Sequence, residues 1–72
     1  MNEYRGGYGD EFKDLRRGDF VKYQNVKWMD GKTISGHGEI FGFGRFGETD
    51  IVWISHENGE LKGIPYEEVK KI

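Results

Sequence analysis

The chain has 72 residues, a formal net charge of −2 and no cysteine. That length holds one domain with a thin core, and without cysteine neither a disulfide nor a zinc–thiolate site can staple it. The slightly acidic balance argues against a general coat for duplex DNA, which needs a basic excess, and no apolar run is long enough to span a bilayer as a helix.

Leucine occurs only at Leu15 and Leu61 and alanine is absent, whereas glycine occurs twelve times and aromatic residues make up 15% of the chain. The best helix formers are nearly missing. Glycine with aromatic and β-branched residues suits short twisted strands and tight turns. An all-β domain is therefore expected. No charged start followed by an apolar run marks a signal peptide, so a cytoplasmic protein with no membrane partner is expected.

Residues 1–10 carry three glycines and no apolar periodicity, which predicts a flexible tail. The rival reading is an arm of Tyr4, Arg5 and Tyr8 that folds onto a partner. The domain proper is expected over 11–72. Residues 11–17 suit one helical turn or an extended lead-in, with Phe12 and Leu15 capping the bottom of a core, and 16–19 read as a turn. A first strand follows at 19–24, with Val21 and Tyr23 inward because Lys22 seeks water. Val26 and Trp28 fall in a long loop, 25–33, whose Asp30-Gly31 pair signals a turn.

The second strand is expected at 34–43. Its alternation places Ile34, Gly36, Gly38 and Ile40 on one face and Ser35, His37, Glu39, Phe41 and Phe43 on the other. Inward glycines leave room for large neighbours or a sharp bend. A glycine-spaced loop or strand end covers 42–49. The third strand, 50–55, sets Ile51 and Trp53 against Val52 and Ile54, so both of its faces are apolar. Either both are covered, or one marks a contact surface. Asn58-Gly59 is the strongest hairpin signal in the chain. It leads to a fourth strand at 61–64, a single tight turn opened by Pro65 and a short last strand at 69–72. The predicted core is Val21, Tyr23, Ile34, Ile40, Val52, Ile54, Ile64 and Val69.

Five short strands with a one-turn helix before the last resemble the Src-homology-3-like (SH3-like) barrel, in the broad sense that includes Tudor and KOW modules. The residues that carry the resemblance are Gly18-Asp19-Phe20-Val21, Gly38-Glu39-Ile40 and Gly63-Ile64-Pro65-Tyr66-Glu67-Glu68-Val69, within 18–72. It implies a small, strongly bent five-stranded barrel with a short 3-10 turn before the last strand. A second, local resemblance is to cold-shock domains. It rests on Val26-Lys27-Trp28-Met29, Phe41-Gly42-Phe43-Gly44 and Asp50-Ile51-Val52-Trp53-Ile54-Ser55, and implies a base-stacking platform of Trp28, Phe41, Phe43 and Trp53.

No nucleophile elbow, phosphate-cradling loop or zinc-binding helix motif is present. His37 and His56, with Glu39 and Glu57, match no metal spacing. Neither an enzyme, a metal nor a cofactor is expected. The residues singled out for binding are Trp28, Phe41, Phe43, Arg45, Phe46, Trp53 and Tyr66. Exposed aromatics of this kind can line a peptide groove, cage a methylated lysine or arginine by cation–π attraction or stack single-stranded bases. Lys13, Arg16, Arg17, Lys70 and Lys71 form a possible basic patch, because the first and last strands of such a barrel are neighbours.

The expected function is non-catalytic binding to a protein partner. Small free-standing barrels of this kind are associated with bacteria and their phages, where they modulate a larger complex. Single-stranded nucleic acid is the alternative partner, and the chain itself is expected as a monomer or weak homodimer.

Overall fold

The computed structural model describes residues 4–6, 9–28 and 30–72, the side chains of 4–6 excepted. The chain is all-β. Its strands are β1 (Tyr4–Gly6), β2 (Glu11–Phe12), β3 (Leu15–Arg16), β4 (Phe20–Lys27), β5 (Thr33–Phe46), β6 (Thr49–Ser55), β7 (Leu61–Pro65) and β8 (Val69–Lys71), with a 3-10 turn at Tyr66–Glu68. The main sheet is antiparallel in the order β7-β6-β5-β4-β8, with β1 beside β5, while β2 and β3 make a separate hairpin.

The 14-residue β5 organises the sheet. Its first half pairs with β4 from Thr33 to Glu39, and its second half pairs with β6 from Glu39 to Phe46. β1 continues the β4 edge, opposite Gly44, Arg45 and Phe46. The chain therefore leaves that edge after Gly6, makes the β2–β3 hairpin and returns as β4. Part of the expected tail is thus a strand. Backbone pairing needs no apolar periodicity, so the composition of that segment gave no sign of it. Tyr8, the third residue of the expected arm, lies outside the described residues, as does Met29.

Two bulges govern which side chains face inward. In β4 the pairing slips between Tyr23 and Val26. Asn25 takes the left-handed conformation, φ 53°, and donates its N–H to Ser35 Oγ at 3.0 Å. Tyr23 and Val26 are consequently both inward although three apart. The strand runs on past its expected end, and Val26 is buried instead of sitting in a loop. In β5 the pairing slips between Ile40 and Gly42, leaving Phe41 without a cross-strand partner. A bulge of this kind shifts the two-residue alternation by one. Ile40 and Phe43 are therefore both inward, and Phe43 does not share the face of Phe41.

The buried core is Leu15, Val21, Tyr23, Val26, Ile40, Phe43, Val52, Ile54 and Ile64. Ile34 and Val69, expected within it, are only partly buried against it, together with Phe12, Trp28 and Tyr66. Leu15 arrives on a hairpin, not a helical turn: Phe12 and Leu15 pair across Lys13 and Asp14. The expected barrel is not closed. The 3-10 turn carries the chain from β7 at one edge of the sheet to β8 at the other, so among the described residues these end strands do not pair. Close approach explains two of the glycines. The ring of Tyr23 lies over Gly36, where a Cβ would stand 2.7 Å from the hydroxyl, and Trp53 and Ile51 lie over Gly63, where a Cβ would stand 2.8 Å from Trp53 Cζ3.

Candidate binding surface

The bulge at Phe41 determines what the second half of the sheet shows to solvent. With Phe43, Val52, Ile54 and Ile64 buried, the cross-strand partners Gly42–Trp53, Gly44–Ile51 and Phe46–Thr49 take the outer face, where Phe46 and Thr49 are exposed, Gly42, Ile51 and Trp53 are half-buried and Gly44 is buried. β7 contributes Leu61, Gly63 and Pro65 opposite Ser55, Trp53 and Ile51. Apart from Glu39, which pairs with Ser55 where the two halves of the sheet meet, none of these outward residues is charged, in a chain that is 33% charged. The charges of this half sit at the ends of the opposite face: Arg45 faces Asp50 across the ladder at 4.0 Å, and Lys62 lies over the Trp28 ring, 5.3 Å from its centroid. Phe41 and Phe46 stand at the margins of the uncharged face, 56% and 62% exposed.

The residues singled out from the sequence divide into three groups. Phe41, Phe46 and Trp53 lie on or beside this outer face, with Trp53 half-buried. Phe43 does not: it is a core residue, 4% exposed, with its ring 6.0 Å from that of Phe12. Trp28 and Tyr66 lie elsewhere. Trp28 packs against the core and donates its indole N–H to the carbonyl of Gly63 at 3.4 Å, reaching across to the β7 edge. Tyr66 meets Phe12 edge to face and donates its hydroxyl to Asp14 at 2.5 Å. The hydrogen bond from Tyr66, first, and a backbone hydrogen bond hold the Asp14 carboxyl below its ordinary range. The same bond, then burial, raises the Tyr66 phenol. An extended platform of Trp28, Phe41, Phe43 and Trp53 is therefore not formed.

The candidate basic residues are largely matched by acids. Arg16 pairs with Glu11 at 3.3 Å, Arg17 with Asp10 at 3.4 Å and Lys71 with Asp19 at 3.3 Å. Lys13 lies over aromatic rings. Lys70 stands opposite Lys22 on β4, and Glu67 and Glu68 line the same recess. These residues do not merge into one uncompensated basic surface. Arg17 also donates through Nε to the carbonyl of Phe41 at 2.9 Å, with its guanidinium 5.8 Å from that ring. This pins the bulge that presents Phe41.

The histidines do not converge. His56 accepts or donates at two positions: Nε2 lies 2.8 Å from the Tyr23 hydroxyl and Nδ1 lies 3.1 Å from the Glu60 carbonyl. A carbonyl only accepts, so Nδ1 is the nitrogen that donates to Glu60, and in that tautomer Nε2 is left to accept from the Tyr23 hydroxyl. Burial, then Glu60, raises the Tyr23 phenol. His37 is exposed on the outer face of the other half of the sheet. Among the described residues no group of three or more histidine, aspartate or glutamate side chains could hold a metal ion, and no helix is long and apolar enough to cross a membrane. Comparison with known proteins gives no match: no family model fits the chain, and no curated protein or solved structure is significantly similar to it.

Proposed function

We propose that the chain is a non-catalytic protein-binding module of the Src-homology-3-like type, and that it binds through the outer face of β5, β6 and β7. The fold assignment is supported by the strand order β8-β4-β5-β6-β7, by one long strand shared between two half-sheets, and by the 3-10 turn before the last strand. The observation that carries the functional reading is the uncharged outer face flanked by exposed Phe41 and Phe46. A soluble domain ordinarily scatters charge over its solvent side, and a contiguous uncharged patch rimmed by aromatics marks an interaction surface.

A protein partner fits this surface better than a nucleic acid. Stacking on bases needs cations nearby to hold the phosphates, and the basic side chains of this half, Arg45 and Lys62, lie on the opposite face and are each paired with a carboxylate. The test is affinity capture with the purified protein and with Phe41→Glu and Phe46→Glu variants, followed by titration of the captured protein in purified form. Binding lost in both variants while their amide spectra stay folded supports the reading. Binding of a single-stranded oligonucleotide that falls steeply with salt would replace it with the nucleic-acid reading. Self-association abolished by the same substitutions would assign the face to a second copy of the chain.

A further inference from the structure

The β2–β3 hairpin builds an arrangement that the uncharged face does not use. The rings of Phe12 and Tyr66 stand at 89° with centroids 5.4 Å apart, so they form two walls of a corner. Lys13 reaches into it. Its Nζ lies 5.4 Å from the Phe12 centroid and 5.0 Å from the Tyr66 centroid. The Tyr66 wall is fixed by its hydroxyl, which donates to Asp14. A groove beside the corner is lined by Glu48, Pro65 and Glu67 as well as Lys13 and Tyr66. Glu48 comes from the turn between β5 and β6, and Glu67 from the 3-10 turn.

The backbone at Lys13 is as informative as its side chain. Its φ is +56°, the left-handed region, at the first central position of a two-residue hairpin turn. Glycine is the residue that this position favours, since a Cβ is crowded there. The chain carries a lysine instead, and what lysine has that glycine lacks is the ammonium in the corner. A disfavoured backbone conformation kept for the sake of a side chain points to a role for that side chain.

We propose that this corner is a recognition site for an organic cation, a lysine or arginine side chain of a protein partner, and that Lys13 is its internal occupant, displaced when the partner binds. The faces of both rings carry negative charge density that attracts a cation. Glu48 and Glu67 supply carboxylates along the approach, and among the described residues neither is in an ion pair. Lys13 is exposed, so it can swing out without unfolding the hairpin. This inference goes beyond the proposed function. It concerns the corner beyond the edge of that face, with Pro65 common to both, and stands whether or not the outer face of β5–β7 binds a protein.

The test compares wild type with Lys13→Gly, a substitution that the left-handed turn accommodates and that empties the corner. The probes are the N-acetyl methylamides of lysine, trimethyllysine, arginine and, as a neutral control, norleucine. The readout is the shift of the Phe12 and Tyr66 ring protons. Lys13→Gly is expected to bind at least one cationic probe about two- to fivefold more tightly than wild type, the factor an exposed cation–π contact is worth. Norleucine is expected to give no shift. In the wild type, the Lys13 side-chain methylenes should be shifted upfield by the two rings. Equal response to norleucine, no response of Lys13→Gly to any cation, or unshifted Lys13 methylenes would overturn the proposal. Lys13→Met, which refills the corner without charge, should show the wild-type weakness. A difference among the cationic probes identifies which kind of side chain the corner takes.

Discussion

On the β8-β4-β5 half of the sheet the outward positions include Phe20, Lys22, Lys27, His37 and Lys70; Glu39 stands where the halves meet, opposite both Phe20 and Ser55, and beyond it the outward positions of the β5-β6-β7 half are glycine, serine, threonine, proline, isoleucine, leucine and aromatics. The two halves share one strand and one core, so burial demands do not distinguish them. Their outer faces differ because one is composed like an ordinary solvated surface and the other is not. On the first half Lys22 even faces Lys70 directly across the ladder, an arrangement that opposes pairing and is tolerable where water and Glu67 and Glu68 are close. The proposed function accordingly rests on the missing charge of one face, not on any single aromatic residue.

The largest expected effect separates aromatic residues that the sequence placed together. Phe43→Ala should destabilise the fold by about 3–5 kcal/mol, the cost of truncating a buried phenylalanine. Phe41→Ala and Phe46→Ala should each change stability by no more than about 0.5 kcal/mol. Equal losses in chemical denaturation would erase the distinction between core and presented rings.

Next come the glycines beneath the large rings. Gly36→Ala sets a methyl against the Tyr23 hydroxyl, which is pinned to His56, and should cost about 1–3 kcal/mol as overpacking. Gly63→Ala presses on Trp53 and Ile51 from the outer side, where side chains can yield toward solvent, and should cost less. The reverse order would mean that the outer face is the more rigid of the two.

Tyr23→Phe should cost about 1 kcal/mol, the net worth of one hydrogen bond, and should change the tautomeric balance of His56 as read from its ring nitrogen shifts. Unchanged nitrogen shifts would show that the hydroxyl does not set the tautomer.

The smallest effect concerns pH. Asp14 is held below its ordinary value of 3.8 and Tyr66 above its ordinary value of 10.0, each by the bond between them. A depressed carboxyl contributes stability above its ordinary value and loses it as pH falls through the folded-state value. A raised phenol contributes below its ordinary value and loses that contribution as pH rises through the folded-state value. The contact between Phe12 and Tyr66 should therefore hold steady between the two ordinary values and weaken beyond them. Asp14→Asn should remove the acid limb, and an unaltered acid limb in that variant would assign the loss to another carboxylate.

Much of the strand plan was legible because period-two alternation and turn chemistry are local. Asn58-Gly59 folds as a turn between β6 and β7, with Gly59 at φ 87°, and Pro65 precedes the 3-10 turn. Val52 and Ile54 point inward with Ile51 and Trp53 opposite, as alternation requires. What escaped the sequence follows from the bulges. Each inserts a residue that breaks the period, so Val26 reads as loop and Phe43 reads as surface. The bulge at Phe41 is met by long-range bonds from Arg17 to the Phe41 carbonyl and from Gly18 to the Ile40 carbonyl, which no local pattern contains. The Phe12–Tyr66 corner was equally hidden, since it joins a hairpin near one end of the chain to a turn near the other. The ion pairs that divide up the basic residues were invisible for a related reason: Glu11 meets Arg16 and Asp10 meets Arg17 only once the hairpin forms.

The most direct test places a charge on each outer face in turn and measures binding of the captured partner. Phe46→Glu alters the uncharged half and Lys22→Glu the charged half, and both positions tolerate the change because each is exposed. The expected result is binding lost in Phe46→Glu and retained in Lys22→Glu, with both proteins folded. Binding retained in Phe46→Glu and lost in Lys22→Glu would contradict the account and move the functional surface to the other half of the sheet.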